Sequence, residues 1–270
     1  MRRATRRWLW GWRFTFSDDV KSKFYLLAVV LGVLAAAGTG LRYALGPTRE
    51  VPVNETMLES PGAGALFGWL GGFKALAADF LWLRMYAGWE VRDLPGTQTL
   101  IRAVVAVDPR PVYFWLNGAR ILAYDLPVWR IAAEGGYEVV SATRRRMIEV
   151  EHAQMAIRHI QAARRVQAGQ AALWVEQANI ELNKLGDLAA AAESYRRAWA
   201  EPRGPYYAAR IYGELLRRQG KDAEAYAWLR ELHPQLPAED DAADAPLVLA
   251  RLRELENVLA VPAEQRYRAK

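Results

Sequence analysis

Between Phe24 and Leu41 the chain runs for eighteen residues without a charge, FYLLAVVLGVLAAAGTGL. A helix rises about 1.5 Å per residue, so this segment measures roughly 27 Å, close to the hydrocarbon thickness of a bilayer. A soluble core helix seldom stays uncharged for so long. The run predicts a single transmembrane helix over 24–45, with Arg42 and Tyr43 at its interfacial edge. Gly32, Ala36 and Gly40 recur every four residues and form a face on which another membrane helix can pack closely.

The flanks orient this helix. Arg2, Arg3, Arg6, Arg7, Arg13, Lys21 and Lys23 precede it, against only Asp18 and Asp19. Basic flanks stay on the cytoplasmic side, so residues 1–23 form a cytoplasmic tail and the rest of the chain lies across the membrane. In the bacterial inner membrane that far side is the periplasm. Trp8, Trp10, Trp12, Phe14 and Phe16 alternate with arginines in the tail, a composition suited to the headgroup layer. A rival reading takes Thr5-Arg6-Arg7-Trp8-Leu9 as a twin-arginine export signal and Ala35-Ala36-Ala37 as a cleavage site. It predicts a released periplasmic enzyme or ligand-binding protein. The gap from Arg7 to the apolar run is long for such a signal.

Charge and cysteine content then remove whole classes of function. The chain carries a net charge of +6, and the tail with Arg42 accounts for all of it. A body of zero net charge argues against nucleic acid as a partner. Cysteine is absent, which excludes disulfides, thiolate metal sites and cysteine nucleophiles. His152, His159 and His233 are the only histidines. The first two sit seven residues apart, too far along a helix for one metal ion, and read as partly exposed helix residues. Phosphate-binding loops, nucleophile elbows and zinc-protease motifs are missing, so no catalytic residue, metal site or cofactor is expected.

The body reads as all-α. Residues 46–64 form a linker, and residues 65–270 a helical domain. The stretch 65–83, ALFGWLGGFKALAADFLWL, carries Lys74 and Asp79, each costly at a bilayer centre, so it reads as a helix that packs as the first element of the domain or rests against the membrane surface. Gly68, Gly71 and Gly72 are expected to break it in two. Downstream, good helix formers dominate. Pro95, Pro109, Pro111, Pro127, Gly186, Pro202, Pro205, Gly220, Pro234 and Pro237 punctuate them and cut the chain into short helices.

A repeat emerges when Gly186 is aligned with Gly220, 34 residues later. Asp187, Ala191, Tyr195 and Ala198 follow the first, and Asp222, Ala225, Leu229, Leu232 and Pro237 follow the second. Leu182 and Leu216 each precede their glycine by four. This pattern resembles the tetratricopeptide repeat, a helix–turn–helix unit that stacks into a solenoid. Weaker units are marked by Trp115 with Gly118-Ala119, and by Trp174, displaced by one residue from its expected place. Residues 137–170 lack a clean repeat, although Ala156, Ile160 and Ala163 fit a second helix there. Asp244 to Ala260 reads as a capping helix. The segments GGFKALAADFLWLRMYAGWE and WLNGARILAYDL also resemble membrane-anchored bacterial tetratricopeptide proteins.

The resemblance implies a concave groove lined by each unit's first helix, and a role in holding other proteins within a membrane complex. Carried onto this sequence, the groove includes Arg120, Tyr124, Asn179, Asn183, Arg210, Glu214 and Arg217. Gln177-Ala178-Asn179 resembles repeats that grip a peptide carboxylate, but Gly186 falls one residue late for that pattern. Trp115, Trp174, Tyr195, Trp199 and Trp228 read as packing between helices. Arg144-Arg145-Arg146, Arg164-Arg165 and the acidic run Glu239–Asp244 read as solvated faces.

Overall fold

The computed structural model describes residues 61–237 and 239–269, and their side chains from Phe73 onward. The proposed membrane helix, its Gly32/Ala36/Gly40 face and the aromatic tail lie outside these residues. The described chain from Leu66 to its end is one compact unit. Ten α-helices and no strands occur among the described residues. No helix there is long and apolar enough to cross a membrane.

Helix α1 (Pro61–Glu90) is continuous, so Gly68, Gly71 and Gly72 do not break it. A glycine costs a helix only about 1 kcal/mol, which a helix of this length absorbs. The helix also starts earlier than expected, at Pro61, a residue type favoured in the first turn. Asp93 caps α2 (Leu94–Val107) by accepting from the Gly96 amide. Then come α3 (Val112–Arg120) and α4 (Leu126–Ala133), joined by a π-helical turn at Ile121–Asp125. Pro127 therefore does not end a helix as the sequence suggested. Lacking an N–H, it cannot close an ordinary bond to residue 123, and the preceding turn widens: Leu126 N donates to Ile121 O, five residues back.

Helix α5 (Ala142–Val166) fills the stretch without a clean repeat as one long element. Its buried Ile148, Ala153, Ala156, Ile160 and Ala163 form the stripe along which α3 and α4 pack. Next are α6 (Ala171–Ile180), a second π-helical turn (Glu181–Leu185), α7 (Leu188–Ala200), α8 (Tyr206–Arg218), α9 (Asp222–Leu232) and α10 (Ala245–Val258). From α6 onward each helix packs chiefly on its neighbours in the chain. Gly186 and Gly220 close the turns between paired helices in the left-handed region, at φ +71° and +75°, as the 34-residue alignment required. Asp187 caps α7.

The core follows the same order. Met85, Ile101, Trp115, Leu126, Ile160, Leu173 and Ile180 form one cluster under α1–α6. Ala178, Ala191, Tyr195, Ala198, Ala208 and Leu215 form a second, alanine-rich cluster where α6, α7 and α8 approach closely. Leu216, Leu229, Leu232, Val248, Leu252 and Leu255 form a third under α8–α10. Burying each large aliphatic side chain contributes about 1.5–3 kcal/mol, so the clusters hold helices whose isolated pieces are too short to persist. Gly213 lies at the α8–α9 contact, where an added Cβ would stand 2.8 Å from Leu229.

Candidate functional site

The first helices of successive pairs bring part of the expected groove together. Arg120, Tyr124, Asn179 and Asn183, with Asp125 and Glu176, line one concavity of about 500 Å³. Both π-helical turns border it: Tyr124 and Asp125 sit in the first, Asn183 in the second. Such turns widen a helix by one residue and re-aim the side chains they carry. The second turn also accounts for the late Gly186. Gly186 N donates to Glu181 O five residues back, so the helix holds one residue more than the ordinary spacing.

Electrostatics fix this concavity. Arg120 donates from Nε and Nη2 to Glu176 Oε2, both at 2.9 Å. The Tyr195 hydroxyl donates to Asn179 Oδ1 at 2.6 Å, which leaves the Asn179 amide NH2 as that residue's remaining hydrogen-bonding group. The Lys184 ammonium lies 4.5 Å from the Tyr124 ring centre. Burial raises the Tyr124 phenol above its ordinary range, opposed by a hydrogen bond with Asn183. Burial pushes Tyr195 up to about 12, with Tyr207, Tyr124 and Glu176 adding to the rise. These phenols remain neutral donors at physiological pH.

Arg210, Glu214 and Arg217 line a different concavity of about 320 Å³, with Tyr207, Leu247 and Arg251 at its edge and Ile211, Leu229, Val248 and Leu255 also lining it. It combines an apolar lining with a charged rim. Arg210 donates to Asp244 at 2.8 Å, and Arg217 pairs with Glu214 at 2.7 Å. Tyr207 lines this second concavity, and its phenol is raised by burial and by the Glu176 charge of the first. The seven residues therefore divide into a polar and an apolar compartment.

Sequence reasoning missed Glu176, Lys184, Tyr207 and Arg251. Glu176 stands three and seven residues before Asn179 and Asn183, on the same helical face, and that spacing was the available signal. One histidine needs correcting, since His152 is buried while His159 is half-buried as a residue. Neither ring nitrogen of His152 has a hydrogen-bond partner of good geometry. His159 packs on Trp115 with ring centres 4.8 Å apart, and its Nε2 is buried without a partner. Both lie on the stripe of α5 that α3 and α4 cover. Burial depresses both, His159 to about 4 against the pull of the Trp115 carbonyl.

The aromatic residues pack as expected. Trp115 Nε1 donates to Pro109 O, and Trp228 Nε1 to Ala209 O, each at 2.9 Å. The Arg164 and Arg197 guanidiniums lie 3.7 and 4.9 Å from the centre of the Trp174 ring. The basic clusters lie on solvated faces, as expected, and also make contacts within the domain, with the Arg146 side chain 51% exposed. Arg144 pairs with Glu134, Arg146 donates to Lys184 O and Leu185 O, and Arg164 donates to Gln177. Among the described residues no group of acids and histidines is placed to hold a metal ion.

No family model matches the chain, and no curated protein sequence matches it.

Proposed function

We propose that this protein is a membrane-anchored scaffold whose tetratricopeptide-like domain holds a segment of another protein on the periplasmic side of a bacterial inner membrane. The observation that carries the reading is the polar concavity of Arg120, Glu176, Asn179 and Asn183, bordered by two π-helical turns and followed by an apolar compartment. The asparagine amides and spare guanidinium N–H groups suit the main chain of an extended peptide. The apolar compartment suits an anchoring side chain a few residues along. The hydrogen-bonded groups are preorganised, so little ordering cost falls on binding. Confinement by the anchor raises the effective concentration of the groove at the membrane without any new contact. A permanent place in a larger membrane complex is one form of this role, with the 1–23 tail and the Gly32/Ala36/Gly40 face docking on neighbours.

The test places a photo-crosslinking residue at Asn183 or Arg217 of the full chain in its native membranes. The expected result is the same discrete polypeptide captured from both positions, with capture at Arg217 reduced by Asn179→Ala. Failure to capture any polypeptide from either position overturns the reading. Recovery of a processed chain lacking residues 1–37 favours the released enzyme or ligand-binding protein instead.

A further inference from the structure

Helix α1 is apolar on both sides. Ala78, Trp82 and Met85 are buried and pack it onto the domain, with Trp82 against Phe114 at 5.2 Å between ring centres. Phe73, Leu76, Phe80 and Leu83 follow one another at intervals of three, four and three, which places them on one face. They are 46%, 69%, 65% and 67% exposed, on the side opposite the packed one. A helix apolar all round is normally covered all round. Among the described residues nothing covers this row.

We infer that this row lies in the interfacial layer of the bilayer, so that α1 rests flat on the membrane as well as belonging to the domain. The inference rests on the proposed anchor. Fifteen residues separate Leu45 from Pro61, and an extended chain spans at most about 3.3–3.6 Å per residue, so the start of α1 stays within roughly 55 Å of the anchor's end. The sequence that opens α1, residues 61–72, carries no charge. Asp79 and Arg84 flank the row rather than interrupt it. Because α1 packs on the domain by its other face, it lies on the membrane and does not cross it. A second copy fits less well. Four half-exposed side chains offer on the order of 500 Å², short of the ~800 Å² per partner of a stable interface.

The chain has no cysteine, so single-cysteine variants can be labelled cleanly. The full chain carries an environment-sensitive fluorophore at Phe80→Cys, Leu83→Cys, Glu224→Cys or Leu34→Cys. It is reconstituted in vesicles of phosphatidylethanolamine and phosphatidylglycerol. Expected is at least about twofold stronger quenching of the Phe80 and Leu83 labels by shallow nitroxide lipids than by aqueous iodide, with the order reversed at Glu224. Iodide quenching at Phe80 and Leu83 equal to that at Glu224 overturns the inference. If the Leu34 label is then quenched by deep nitroxide lipids, the anchor stands and only the resting surface fails. If it is not, the anchor fails with it. Oxidative dimerisation through Leu83→Cys without lipid quenching also overturns the inference, and assigns the row to a second copy.

Discussion

Arg120 spends two N–H groups on a single oxygen of Glu176, and the pair is lopsided: the carboxylate side chain is 5% exposed and the guanidinium 56%. Glu176 is thus a buried anion whose nearest compensation is a half-exposed arginine. Removing the arginine leaves the anion uncompensated. Arg120→Met is expected to cost about 1–3 kcal/mol, reduced from the deeply buried case because water reaches the site. The double variant Arg120→Met with Glu176→Met should recover a large part of that loss, because no buried charge remains. Thermal unfolding of the full chain in detergent, run as a double-mutant cycle, measures the coupling. Strictly additive losses would show that Glu176 is compensated by something other than Arg120.

His159 makes stability depend on pH. In the unfolded chain its pKa is near 6.5, and in the fold it is about 4. The unfolded state therefore binds the proton more readily, and protonation favours unfolding. The stabilisation is complete above about 6.5 and is lost as pH falls toward 4, roughly 3 kcal/mol over that window. His152 is shifted in the same direction and adds to the slope. Unfolding midpoints measured between pH 4 and 7 should fall with acid. His159→Phe should flatten the curve in part, leaving the share due to His152. An unchanged slope would place the proton elsewhere.

What the sequence revealed and what it hid divide by range. The left-handed glycines, the Asp187 cap and the small residues Ala191 and Ala225 each answer a local geometric need, so their spacing alone exposed them. Arg120, Tyr124, Asn179 and Asn183 came from the resemblance to the repeat family, and the structure brings these four to one concavity. The buried acids were not legible. Glu176 meets a partner 56 residues away, and Glu256 accepts from Tyr226, 30 residues away. The spacing of Glu176 to Asn179 and Asn183 shows the helical face it shares but not its burial, and nothing near Glu256 marks it as buried. His152 was misread for the same reason: the helices that cover α5 come from earlier in the chain. A π-helical turn leaves only a one-residue slip in spacing, visible at Gly186 but read there as a departure from the repeat.

Two glycines separate backbone cost from packing cost. At Gly186 an added Cβ would meet nothing within 4 Å, but φ is +71°. Gly186→Ala is expected to cost about 1–2 kcal/mol through conformation alone, and Gly186→Asn less, because asparagine tolerates the left-handed region. At Gly213 the backbone is ordinary helix and the obstacle is Leu229 at 2.8 Å. Gly213→Ala is expected to cost about 1–3 kcal/mol by overpacking. Shortening the neighbour should relieve it, so Gly213→Ala with Leu229→Val should lose less than the sum of the single changes. Chemical denaturation of these five variants, Leu229→Val among them, distinguishes the mechanisms. Equal losses for Gly186→Ala and Gly186→Asn would contradict the conformational account.

The π-helical turn that carries Asn183 ends on carbonyls that need donors, and Arg146 supplies them from α5, with Nη2 2.7 Å from Leu185 O and Nη1 on Lys184 O. A helix end left without such partners is held only by water. Arg146→Ala is expected to cost about 1 kcal/mol in stability. Arg146→Lys should recover part of it, because an ammonium cannot fork across two adjacent carbonyls as a guanidinium does. The effect on binding should exceed the effect on stability, since the turn positions Asn183 beside Tyr124 and Glu176. Arg145 is the comparison. Its side chain contacts Tyr137, within the α4–α5 connection, and Arg145→Ala should leave capture at the groove unchanged. Photo-crosslinking yield from Arg217, set against the unfolding midpoint of each variant, tests this. If yield falls only in proportion to the folded fraction, Arg146 supports the fold and not the groove.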